Sequence, residues 1–115
     1  MNSRADLDAL LPERDNEGYL LDPAQWSRVH APLLAARDGL VLGDAHWQVI
    51  DFIRDWYARN ESVPEARCVI QHLAADYGDK RAAKRALYEL FPLGYGQQAC
   101  RIAGMRKPLK LMLDV

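Results

Sequence analysis

The strongest periodic pattern in the chain runs from Asp44 to about Arg59. Trp47, Ile50, Ile53 or Trp56, and Tyr57 recur at helical spacing there, with Val49 and Phe52 widening the apolar stripe. Gln48, Asp51 and Asp55 fall on the opposite side, so the segment predicts an amphipathic helix whose aromatic residues turn to a core. After Asn60-Glu61, Ser62 and Glu65 stand at capping-box spacing with Pro64 in the first turn, which predicts a second helix. Its inner positions are Ala66, Val69, Ile70, Leu73 and Tyr77, and Gly78 is placed to end it in a left-handed conformation. Asp79 then caps a third helix, with Ala83, Leu87, Leu90 and Phe91 inward and Lys80, Arg81, Lys84 and Arg85 in water.

The flanking stretches are less regular. Leu10-Leu11 and Tyr19-Leu20-Leu21 bracket the turn signal Asp15-Asn16-Glu17-Gly18 and predict a small hairpin. Asp22-Pro23 opens a helix, with Asp22 as N-cap, Pro23 at N1 and Gln25 at N3. Trp26, Val29, Leu33 and Leu34 form its apolar side, Pro32 distorts or splits it, and Gly39 ends it. Beyond Phe91, Pro92, Gly94 and Gly96 open a turn, a short helical run carries Cys100 and closes at Gly104, and a basic, Pro-containing tail follows. The resulting expectation is one domain over residues 1–115: a mainly α orthogonal bundle with a small N-terminal β-hairpin. Residues 1–9 are expected to be disordered and 105–115 to form a flexible C-terminal arm.

Composition narrows the function classes. The chain has 115 residues, 50% hydrophobic and 27% charged, which suits a single globular core. No apolar run approaches the roughly 18 residues that span a bilayer. The opening MNSRADLDALLPERDNEG lacks a basic-then-apolar leader pattern, so a cytoplasmic location is the expectation, and the chain is expected to be a monomer. Cys68 and Cys100 are expected as free thiols. The net charge of −1 hides an asymmetry: residues 80–115 hold eight basic and two acidic groups, leaving seven basic and fourteen acidic in 1–79. A cationic C-terminal third on an anionic body suggests an acidic partner or polyanion, against the plainer reading of a solvated face.

Motifs of phosphate binding, serine nucleophiles and zinc proteases are missing, so no stand-alone catalytic apparatus is expected. Cys68 and His72 share a helix face at i, i+4, but two ligands do not make a metal site. The helices on either side of Asn60-Glu61-Ser62 could form a helix-turn-helix offering Arg67, Gln71 and His72 to DNA, though with one cation among the three. Cys100 is the remaining candidate. Arg101, Arg106, Lys107 and Lys110 follow it in sequence, and cations favour the reactive thiolate. A Cys100 turned into the core beside Ile102 would be inert; the residues alone leave both readings open.

EGYL at 17–20, DPAQW at 22–26, HWQVIDFIRDWY at 46–57, Arg67, LYELFP at 87–92, QACRIAG at 98–104 and KP at 107–108 occur in order over most of the chain. In these motifs the sequence resembles the DsrC/TusE family of sulfur-relay proteins. The resemblance implies a small helical protein with a C-terminal arm that passes persulfide sulfur among relay proteins or to a sulfite-reductase-like complex, without a cofactor of its own. It also implies a carrier cysteine eleven residues beyond Cys100, and here that position is Leu111. Tyr95 and Arg106 stand where the family favours Pro, and Ala82-Ala83 where a Gly-Asn pair is common. Cys100 is therefore the candidate persulfide carrier, and Lys84, Arg85, Arg101, Arg106, Lys107 and Lys110 the candidate partner-binding cations. The competing expectation is a cysteine-depleted regulatory paralogue that docks on a relay partner, or binds DNA through the helix-turn-helix and basic C-terminal region.

Overall fold

A computed structural model describes residues 9–108, and within them the mainly helical expectation holds. Four α-helices carry the architecture: α1 (His30–Ala36), α2 (Asp44–Asn60), α3 (Ala66–Tyr77) and α4 (Lys80–Leu90). A π-wound turn, Tyr95–Cys100, follows and continues helically to Ile102.

The longest helix, α2, begins after an extended Gly43. His46 Nδ1 accepts the Gly43 N–H at 3.0 Å, which leaves its Nε2–H to donate to the Leu90 carbonyl at 3.0 Å. One imidazole thus closes the start of α2 and ties it to the end of α4. Val49, Ile50 and Ile53 are fully buried, whereas Trp47, Trp56 and Tyr57 are only half-buried. Glu61 ends α2 in the left-handed region at φ 54°.

Several local expectations shift. α3 starts at Ala66 with Glu65 as N-cap and no side-chain cap bond, so the Ser62/Glu65 box does not form. Pro64 is buried instead, and Tyr77 is 37% exposed rather than inward. Gly78 closes α3 at φ 98°, with its N–H on the Ala74 carbonyl, and the Asp79 carboxylate accepts from the Ala82 N–H at 2.8 Å to start α4, both as the sequence predicts. α3 and α4 are the most extensively packed pair of helices.

The helix expected from Asp22 to Gly39 divides earlier than Pro32. Asp22 caps only a 3₁₀ turn, Pro23–Gln25, and α1 begins at His30. Pro32 sits in the first turn of α1, where its missing N–H costs no helical bond. Val29 lies outside α1 and is 70% exposed, so it does not belong to the apolar face. The predicted hairpin is reduced to one antiparallel bridge, Arg14 to Leu20, around the Asp15–Gly18 turn. Its first side is Glu13–Asp15 rather than Leu10-Leu11, because Pro12 can donate no ladder bond. The disorder expected for the first residues and the tail beyond Pro108, including Lys110 and Leu111, lies outside the described residues.

Candidate functional site

The segment from Tyr95 to Met105 lies at the centre of the structure. Gly94 enters it at φ 105° and Gly104 leaves it at φ 80°. Every residue from Tyr95 to Met105 is buried except Gln97. Met105 is buried, Arg106 and Lys107 are exposed, and Pro108 is buried again. A helical run buried around nearly its whole circumference must be covered on all sides.

Side chains from the rest of the chain supply that cover, and they bond to the segment's backbone. Tyr19 Oη donates to the Gly96 carbonyl at 3.1 Å. Trp26 Nε1 donates to the Ile102 carbonyl at 2.9 Å. Arg54 donates through one terminal nitrogen to the Ala103 carbonyl and through the other to Pro23, each at 3.1 Å, with its guanidinium 4.5 Å from the centre of the Trp26 ring. The Ile102 and Ala103 carbonyls, at the end of this short helix, have no helical partner of their own, and Trp26 and Arg54 satisfy them. Trp26 also closes over Gly104, where any Cβ would collide with the indole.

Tyr95 Oη donates to the Pro64 carbonyl at 2.5 Å and is in hydrogen-bond contact with the Cys100 thiol. Burial, then Cys100, pushes this phenol well above the usual tyrosine range. Cys100 has no exposed surface and belongs to the hydrophobic core, which also includes Phe91, Tyr95, Ala99, Ile102, Ala103 and Met105. A thiolate, the nucleophilic form, is least readily formed in apolar surroundings. A cleft of about 730 Å³ opens between residues 11–18 and α1, and one of about 280 Å³ beside Tyr57, Val63 and Pro108; Cys100 lines neither.

The candidate cations divide. Arg101 does not belong to a partner surface: it is 4% exposed and forms an ion pair with Asp38. Its other donors reach the Leu34 carbonyl at 3.2 Å and the Gln97 carbonyl at 3.1 Å, and Gln98 donates to the same Asp38 carboxylate at 3.0 Å. Burial draws the Arg101 guanidinium below its ordinary range, and nearby Arg37 acts the same way, against Asp38. Lys84, Arg85, Arg106 and Lys107 are exposed. Lys107 reaches Glu17 at 2.6 Å, a partner that holds its ammonium above the usual lysine range.

The other candidates stay apart from this centre. Arg67 pairs with Glu65 at 2.9 Å, and His72 stacks on Phe52 with ring centres 4.5 Å apart, so two of the three supposed DNA contacts have partners within the chain. Among the described residues, no three His, Cys, Asp or Glu side chains gather as a metal site, and no helix is long and apolar enough to cross a membrane. Sequence reasoning missed Asp38, Tyr19 and Arg54 as the residues that fix the Cys100 segment. The stretches EGYL, DPAQW and HWQVIDFIRDWY contain most of these clamps, and that was the available signal.

Comparison with known proteins agrees with this architecture. The family model described as DsrC like protein matches residues 8–112. Sulfurtransferase TusE of Pectobacterium atrosepticum is 41% identical over 96 residues, 84% of this chain and 88% of that protein. Sulfurtransferase TusE of Escherichia coli (strain K12) is 40% identical over 98 residues, 85% of this chain and 90% of that protein. Among solved structures, the oxidized gamma-subunit of the dissimilatory sulfite reductase (DsrC) from Archaeoglobus fulgidus superposes with a TM-score of 0.74 at 30% identity, covering 84% of this chain and 89% of that one. The solution structure of Allochromatium vinosum DsrC gives 0.72 at 35%, covering 84% and 86%. With a match over nearly its whole length and a shared fold, the chain belongs to the DsrC-like family.

Proposed function

We propose that this chain is a sulfur-relay protein of the sulfurtransferase kind, working in the cytoplasm as a monomer and exchanging sulfane sulfur with partner relay proteins or a sulfite-reductase-like complex. The observation that carries the reading is identity of about 40% to sulfurtransferases TusE over more than four-fifths of the chain. Cys100 is the carrier in this proposal. Its thiolate attacks the outer sulfur of a donor persulfide, a new S–S bond forms at Cys100, and the donor leaves as a thiolate; sulfur moves without an external oxidant. Arg106, Lys107 and Lys110 engage the partner, whereas Arg101 holds the segment in place.

The sealed position of Cys100 sets a condition on this chemistry: sulfur is taken up only when the Tyr95–Met105 segment opens. The same burial favours a second reading, in which the protein docks on a relay partner without carrying sulfur. Intact-mass spectrometry after treatment with a persulfide donor separates the two, using the wild type, Cys68→Ser and Cys100→Ser. The carrier reading expects an adduct of about 32 Da, one sulfur atom, that persists in Cys68→Ser and is lost in Cys100→Ser. No adduct, or one confined to Cys68, would leave only the docking reading.

A further inference from the structure

We infer that α4 presents a docking surface for a single-stranded nucleic acid, made by Lys80, Arg81, Lys84 and Arg85 with Tyr77 at the corner before them. The four cations recur as two i, i+4 pairs, which sets them on one side of the helix, and all four are exposed. The opposite side is seated in the core through Ala83 and Leu87. Arg28, Arg67, Arg101 and Lys107 each pair with a carboxylate of the chain, but among the described residues these four have none. Of the acids nearest in sequence, Asp79 accepts from the Ala82 N–H and Asp76 from Gln48, while Glu89, exposed four residues after Arg85, forms no ion pair with it among the described residues.

Helix stability does not explain this arrangement. The first turn of α4 contains two cations and no acid, against the one carboxylate of Asp79 at its N-cap, and like charges at i, i+4 repel. An external anion relieves both effects. The chemistry of the face selects a phosphate backbone over an acidic protein. Protein interfaces draw their energy from clusters of buried aromatic and apolar anchors, and this surface has a single ring, Tyr77, at its corner. Tyr77, 37% exposed, ends α3 just before Gly78 turns the chain into α4. An accessible ring beside a run of cations is the combination on which single strands stack and track.

Fluorescence anisotropy with a labelled 12-mer of oligouridine tests the inference on the full chain. Wild type should bind at 50 mM salt. Four phosphate contacts give a log–log salt slope of about −3, so affinity should fall about 50-fold by 200 mM. The variant K80Q/R81Q/K84Q/R85Q should lose both binding and slope while keeping its circular dichroism spectrum, since the substitutions remove repulsion. Tyr77→Ala should weaken binding about tenfold with the slope unchanged. Arg59→Gln, at an exposed cation on α2, should bind as wild type does. The inference is overturned by absent binding at 50 mM, by full retention in the quadruple variant, or by unchanged affinity in Tyr77→Ala. It is equally overturned if duplex DNA binds more tightly than oligouridine, or if polyglutamate of equal charge competes as well, which would assign the stripe to an acidic protein.

Discussion

Replacing Asp38 by Asn tests the claim that the Cys100 segment is held by a buried ion pair. The Arg101 side chain is 4% exposed and that of Asp38 12%, so water can compensate little of a lost charge. Removing one partner of a buried pair costs about 3–5 kcal/mol because the remaining charge is left uncompensated. Two carbonyls, Leu34 and Gln97, still accept from the guanidinium, and Asn can accept one bond from it, which places the expectation near the lower limit. About 3 kcal/mol is a shift of roughly a hundredfold in the folding equilibrium. Urea unfolding followed by tryptophan fluorescence reads it as a lower midpoint at unchanged slope. In a Cys68→Ser background, an aromatic disulfide reagent gives a second readout, because Cys100 reacts only from opened states. Its labelling should accelerate by up to the same hundredfold. The double variant D38L/R101M should recover part of the stability, since apolar side chains replace both charges while the buried Gln98 amide loses its acceptor. A loss below 1 kcal/mol in Asp38→Asn, or labelling that does not change, would refute the idea that this pair holds the segment closed.

Two further outcomes follow from the same geometry. Gly104→Ala should cost about 2–3 kcal/mol or more in urea unfolding, since the residue sits at φ 80° and its Cβ would strike Trp26. Gly39→Ala, at φ 71° with nothing within 4 Å, should cost only about 1 kcal/mol, and equal losses would mean that Trp26 contributes nothing. The Tyr95 phenol is raised in the folded state, so its contribution is intact below the unfolded value of 10.0 and drains away above it. Stability should therefore fall above pH 10 by about 1.4 kcal/mol per pH unit for this group. Tyr95→Phe should remove that increment of slope, as read by melts between pH 9 and 11.

The helices with local signals were legible in the sequence. Val49, Ile50 and Ile53 mark the inner stripe of α2, and Gly78 and Asp79 end one helix and start the next through bonds to near neighbours. Errors arose where a distant partner overrode the local signal. Pro64 and Glu65 read as the first turn of a helix, but the Pro64 carbonyl is taken by Tyr95, 31 residues away. Arg101 read as one cation in a basic stretch because Asp38, 63 positions earlier, cannot be paired with it by spacing. The glycines and the following cations made Tyr95–Gly104 look like the root of an arm. Yet AC-IAGM is nearly continuous apolar chain, and that run was the sign of a segment buried all round. Nothing in the sequence announced the π winding, along which Tyr95 reaches Pro64 and both Gln98 and Arg101 reach Asp38.

A carrier thiol placed in the core links sulfur loading to conformation in a way that a thiol on a mobile tail does not. Cys100 has no exposed surface and a Tyr95 hydroxyl against it, so an added sulfur atom must enter a site already filled. Overpacking of a core costs typically about 1–3 kcal/mol. By linkage, whatever the extra atom costs in the closed state favours the open one by the same amount. On the proposed role, the loaded protein therefore opens more readily than the empty one, by roughly five- to a hundredfold for that range of cost. Presentation of sulfur would then follow from its uptake, with the clamps from Tyr19, Trp26, Asp38 and Arg54 setting how much opening the unloaded chain allows.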